Sequence, residues 1–133
     1  MKKKKILIVI SEYYKKISSN LMSDAINHLK KNKRFHSIST IIKVPGVFEI
    51  PVVIANNSKK YDGFIVLGCV IKGETPHFEY ISQATINAIM TLSIQNKKPI
   101  GNGILTCLNK KQALHRSTKK GTEAASAVIN ILS

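Results

Sequence analysis

Four short apolar runs divide the chain: ILIVI (6–10), ISTIIKV (38–44), GFIVLGCVI (63–71) and PIGNGILT (99–106). Each has the length and the Ile/Val content of a strand, and runs apolar on both faces belong in a parallel sheet covered on both sides. Helical patterns fill the intervals. Ile17, Leu21, Met22, Ala25, Ile26 and Leu29 recur at helical spacing behind Ser18 or Ser19 as a cap. A short second helix is expected from about Glu49 to Ser58, with Pro51 tolerated in its first turn. A long third helix follows Thr75 as N-cap and Pro76 as first helical residue, turning Phe78, Ile81, Ala84, Ala88, Ile89 and Leu92 inward. The end of the chain reads as one bent helix or two. Strand and helix thus alternate four times, which predicts an α/β fold with a four-stranded parallel sheet between helix layers. A length of 133 residues and 44% hydrophobic content suit a single domain over 1–133 with one ordinary core.

Several function classes fall away. The start MKKKKILIVIS imitates a signal peptide, but its apolar run of about six residues is too short for a signal core or a membrane span. It reads as a strand with a basic tip, and no membrane association is expected. Cys69 and Cys107 lie inside apolar runs, without a second Cys or His at metal-ligand spacing, so buried free thiols in a reducing cytoplasm are expected. The formal charge of +14 invites a nucleic-acid reading. Against it, only Arg34 and Arg116 of the 21 basic residues are arginine, and the lysines come in scattered pairs. No RNP-like, helix-turn-helix or zinc pattern accompanies them, so the lysines are read as a solvated surface and no nucleic-acid partner is expected.

In open α/β sheets ligands bind beyond the carboxyl ends of the strands, which directs attention to SEYYKK, PGVFEIP, IKGETPHF and TCLNKKQ. In the third, Gly73 permits a tight turn, while Thr75 and the following helix start offer unpaired N–H groups and a positive dipole end suited to phosphate. His77 would feel that dipole, which disfavours the imidazolium and leaves a neutral imidazole to accept a proton; the alternative is a surface histidine on a first helical turn. Glu49 either complements a helix dipole or accepts hydrogen bonds from a polyol. Tyr13 and Tyr14 either stack on a flat heterocycle or pack over the sheet end. Arg116, on the last helical region, either clamps a phosphate with its guanidinium fork or makes a surface salt bridge.

PGVFEIP, then LGCVIKGETPHFEYI, then KPIGNGILTCLNKKQALHR resemble the lumazine synthase family over nearly the full chain. The central run, Gly-x-x-x-x-Gly-x-Thr-Pro-His, is highly specific to it. The resemblance implies a flavodoxin-like three-layer α/β/α sandwich and, as activity, the penultimate step of riboflavin biosynthesis. That step condenses 5-amino-6-(D-ribitylamino)uracil with 3,4-dihydroxy-2-butanone 4-phosphate to give the lumazine, phosphate and water, with no cofactor and no metal. It further implies that Tyr13 stacks on the pyrimidine, that Val47, Phe48 and Glu49 hold the ribityl chain, and that the strand end Cys69, Val70 and Ile71 reads the uracil edge through its backbone. Glu74 and Thr75 match contacts to the butanone phosphate, His77 the proton-transfer histidine, Arg116 the phosphate clamp and Lys120 a basic residue near it. Asn102 stands where many members have Phe, which keeps contact with the uracil but removes an aromatic wall. The stretch between Arg116 and Lys120 is shortened, and the chain starts almost directly at its first strand. In this family the longer loop and a leading segment accompany sixty-subunit shells, so a plain homopentamer is expected, with the active site between neighbouring subunits. A non-catalytic flavin or lumazine carrier of the same fold is the competing reading; the joint presence of His77, Thr75 and Arg116 argues against it.

Overall fold

The structure, a computed structural model, describes residues 3–133. Its elements are β1 (Lys4–Ser11), α1 (Lys15–Lys31), β2 (Ser37–Val44), a 3-10 turn (Val47–Glu49) that runs into α2 (Ile50–Asn57), β3 (Gly63–Ile71), α3 (His77–Asn96), β4 (Ile100–Cys107), α4 (Lys110–Arg116) and α5 (Lys120–Leu132). The strands are parallel, in the order β2-β1-β3-β4. Successive strand side chains point to opposite faces, so each central strand feeds two cores. Ile6, Ile8, Ile10, Ile65 and Leu67 pack with Leu21, Ala25 and Leu29 of α1 and with Ala124, Ala125 and Val128 of α5. Leu7, Val9, Phe64 and Val66 face the other way, onto Ile50 and Ile54 of α2 and Ile89 of α3. The result is the expected three-layer α/β/α sandwich.

Four local expectations are corrected. β2 is not covered on both faces: Ile38 and Ile41 are exposed, because this strand is at the sheet edge and the neighbouring helices lie over the central strands. α1 begins at Lys15, before both serines proposed as caps, and Ser18 is a buried interior residue whose hydroxyl donates to the Ser11 carbonyl at 2.7 Å. α3 begins one residue late, at His77 with Pro76 as N-cap, and the Thr75 hydroxyl accepts from the His77 N–H at 3.4 Å. Its buried residues are Thr85 and Ile89; Ala84 is exposed, and so are Tyr80, Met90 and Ile94. Large apolar side chains stand on several sides of this helix, so their spacing alone does not announce which side faces the sheet. The end of the chain resolves into two helices, the first capped by Asn109, whose side chain accepts from the Gln112 N–H at 2.9 Å.

The strand order brings β4 against α5, and the closest approach is at Gly101, where an added Cβ would run into the Ala124 carbonyl. Gly101→Ala is expected to lower the unfolding free energy by about 1–3 kcal/mol. At Gly73 an added methyl meets nothing within 4 Å, and Gly73→Ala is expected to change it by less than about 0.5 kcal/mol. Urea unfolding midpoints of the two variants check both values.

Candidate active site

β1 pairs with β2 on one side and β3 on the other. The connection to β2 passes through α1 on one face, and the next runs through α2 on the opposite face before reaching β3. Connections that leave in opposite directions open a crevice at the carboxyl ends of the two strands. A cavity of about 570 Å³ occupies it. Ser11, Tyr13 and Tyr14 line it from the end of β1, Gly46, Val47 and Phe48 from the turn after β2, Cys69, Val70 and Ile71 from β3, and His77 and Ile81 from α3. Seven of the sequence-predicted residues therefore meet here: Tyr13, Val47, Phe48, Cys69, Val70, Ile71 and His77.

The end of β3 has a feature that residue identity alone does not reveal. Its pairing with β1 stops at Leu67, whereas its pairing with β4 continues to Ile71. The β1-facing edge of Cys69–Ile71 thus carries backbone groups without a strand partner, able to bond the rim of a planar heterocycle. Above it the two tyrosines divide the possibilities left open by the sequence. Tyr14 is half-buried and packs on the core, and burial, reinforced by Cys69 and Tyr13, raises its phenol pKa. Tyr13 is 74% exposed and meets Tyr14 edge-on, ring centroids 4.9 Å apart. Its face is free for a ligand to stack on.

Glu49, Glu74, Thr75 and Asn102 do not line this cavity. Glu49 Oε1 accepts from the Gly46 N–H at 3.0 Å and so holds the turn that presents Val47 and Phe48. Glu74 and Thr75 are exposed in the β3–α3 loop. That loop does not need glycine for its backbone: no described glycine has positive φ, and Gly73 borders open space. Asn102 is exposed on β4, its Oδ1 accepting from the Ile104 N–H at 3.0 Å.

Arg116 and Lys120 lie elsewhere, in a second cavity of about 460 Å³ against the outer strand β4. His115 and Lys119, not singled out from the sequence, join them there, with Glu123 as the one carboxylate. The basic spacing of HRSTKK was the available signal, but a short lysine run usually marks solvated surface. Among the described residues the one ion pair is Lys43–Glu12 at 3.5 Å, so Arg116 is not held in a salt bridge. In the isolated chain the aromatic crevice and the cationic cavity are two separate sites.

The model of one protein family, 6,7-dimethyl-8-ribityllumazine synthase, matches residues 3–133. Proteins named 6,7-dimethyl-8-ribityllumazine synthase are similar over almost the whole chain. That of Bartonella henselae is 44% identical, covering 96% of this chain and 86% of its own. That of Bartonella tribocorum is 42% identical, covering 96% and 87%, and that of Buchnera aphidicola 39% identical, covering 98% and 84%.

The Cys69 thiol is free and buried at the cavity floor. Burial first, and Cys107 second, push its pKa from 9.0 up to about 12. The unfolded chain therefore gives up this proton at lower pH than the folded protein does. The resulting stabilisation is complete below pH 9 and is lost as pH rises from 9 towards about 12. In urea unfolding at a series of alkaline pH values, the stability advantage of wild type over Cys69→Ala should shrink across that window; a constant advantage would contradict this account.

Proposed function

The chain belongs to the 6,7-dimethyl-8-ribityllumazine synthase family, and we propose from that premise that its reaction takes place where the aromatic crevice of one copy faces the cationic cavity of another. It is a transferase of riboflavin biosynthesis. It condenses 5-amino-6-(D-ribitylamino)uracil with 3,4-dihydroxy-2-butanone 4-phosphate to give 6,7-dimethyl-8-ribityllumazine, phosphate and water. The observation that carries the residue assignments is the crevice between β1 and β3, which joins an exposed aromatic face, an unpaired backbone edge and an imidazole.

In this reading the pyrimidine stacks on Tyr13, and the free edge of Cys69–Ile71 bonds its rim. The ribityl chain lies along Val47, Phe48 and Glu49. Glu74 and Thr75, beside the crevice, contact the butanone phosphate, while Arg116 and Lys120 arrive from the neighbouring copy to neutralise it, with Asn102 facing the uracil from the same side. The uracil amine forms a Schiff base with the butanone carbonyl; phosphate leaves, the enol tautomerises and the ring closes. His77 moves protons during these steps. Both reactants are intrinsically reactive, so positioning and phosphate recognition carry much of the rate.

Oligomeric assembly is supported by apolar side chains left uncovered in the single chain. Tyr80, Met90 and Ile94 form an exposed stripe along α3, and Phe48 and Val52 are exposed nearby in sequence to the crevice turn. We infer a homopentamer, because the short turn between Arg116 and Lys120 lacks the length that accompanies larger shells. A single lumazine synthase domain over 1–133 and a cytoplasmic location complete the reading. The location is supported by two free buried thiols, and no described helix is long and apolar enough to cross a membrane.

Following lumazine absorbance after mixing the protein with both substrates tests this directly. Wild type should form product well above the uncatalysed background. His77→Ala should lose about tenfold to a hundredfold, at or below the low end of the usual range for a general base. Arg116→Ala should lose more, because the phosphate is left poorly neutralised. Binding of lumazine without any rate above background would instead establish a carrier.

A further inference from the structure

Helix α5 begins with two cations, Lys119 at the N-cap and Lys120 as the first helical residue, at the positive end of its dipole, and Lys119 makes no side-chain cap. The cap is supplied by another helix. Asp24 of α1 accepts the Thr122 N–H at 2.6 Å through Oδ2 and the Thr122 hydroxyl at 2.8 Å through Oδ1. One turn earlier on α1, Asn20 donates to the Ser117 hydroxyl at 3.0 Å, and that buried hydroxyl donates to the Leu114 carbonyl at 2.7 Å. Gly121 lets the two helices touch between these bonds: a Cβ there would be 2.5 Å from the Leu21 carbonyl oxygen and 2.7 Å from the Ala25 nitrogen. Both ends of the segment from Ser117 to Thr122 are thus tied to one face of α1. The cations it carries or adjoins, Arg116, Lys119 and Lys120, are those that line the cavity against β4.

We propose that Asp24, assisted by Asn20, is a positioning residue for the reaction. Acting through Thr122 and Ser117, it holds the Arg116–Lys120 turn in the register that aims these cations at the substrate phosphate. The inference rests on the assignment of Arg116 to that phosphate. Neither Asp24 nor Asn20 lines the cavity. Their effect is to settle the backbone before binding, so that only side-chain freedom is lost when the anion arrives. The Asp24 carboxylate also offsets the unfavourable meeting of two lysines with a positive helix end.

The test combines steady-state kinetics, each substrate varied in turn, with calorimetric titration of inorganic phosphate. Asp24→Ala should raise both the KM for the butanone phosphate and the Kd for inorganic phosphate by about fivefold or more, as expected for loss of a helix cap. The KM for the ribitylaminouracil should stay within about twofold, since the crevice that binds it is built from other elements. Asp24→Asn keeps an acceptor oxygen for the Thr122 N–H and should recover most of the loss. Thr122→Val removes only the hydroxyl bond and should give an intermediate loss, which also decides the matter should Asp24→Ala fail to fold. Equal increases in both KM values, or a fall in kcat with phosphate affinity intact, would overturn the proposal. Weakened phosphate binding in Arg116→Ala, with none in Asp24→Asn, Thr122→Val or Asp24→Ala, would overturn it alone. Phosphate binding indifferent to Arg116→Ala would remove the phosphate assignment and the brace together.

Discussion

The double pairing of β1 is the constraint on which the rest of the molecule depends. Ile6 to Ile10 are buried to within 1% because parallel neighbours flank the strand on both sides and helices cover both of its faces. The chain leaves β1 for β2 and then crosses back over β1 to β3, and two right-handed crossovers in opposite directions lie on opposite faces of the sheet. The crevice at its carboxyl end is therefore a topological consequence. Its lining follows from which residues happen to end β1 and β3 and begin α3. The same geometry explains why β3 outruns β1: strand pairing ceases where the two connections diverge, and the bare edge of Cys69–Ile71 is left at the mouth.

Much of this was legible in the residues. GFIVLGCVI matches β3 residue for residue, since a run apolar on both faces and bounded by Asp-Gly and Lys-Gly can do little else. Tyr13 and His77 stood out because the loops that carry them follow strands, whereas Val47 and Phe48 entered through the family resemblance. Other features were hidden for physical reasons. β2 contains Ile38, Ile41 and Ile42 as a central strand would, and nothing local says that it lies at an edge. Ser18 has the chemistry of a cap but bonds backward to β1 from inside its helix. The Asp24–Thr122 contact joins residues that are neighbours only after the fold has formed. No spacing rule reaches that far.

The separation of the two cavities has a related origin. β4 is an outer strand, and the residues that follow it line a cavity against its own side chains, separate from the crevice between β1 and β3. Within one chain Arg116 and His77 line different cavities. In the proposed reaction the outer face of β4 meets the crevice of a second copy. The exposed Tyr80, Met90 and Ile94 fit this reading, since α3 starts at the crevice and these three large apolar side chains are left uncovered among polar neighbours such as Gln83 and Asn87. Under that proposal function and assembly share one cause, the position of β4 at the edge.

The charge balance bears on specificity. With 21 basic and 7 acidic residues, the surface attracts anions from all directions, and this attraction weakens with added salt. Such a field raises the encounter rate for a phosphorylated substrate but cannot distinguish it from any other small anion. Discrimination has to come from donors held in fixed geometry, and most of the lysines are solvated points on flexible stems. Arg116 differs in its planar fork and in the segment behind it, which is anchored at one end by Ser117 and at the other by Thr122. An excess of cations makes that anchoring more important, because the mutual repulsion of Arg116, Lys119 and Lys120 would otherwise spread the turn. The high charge of this chain and the proposed brace beneath the Arg116–Lys120 turn are two sides of one electrostatic problem, attraction at long range and order at short range.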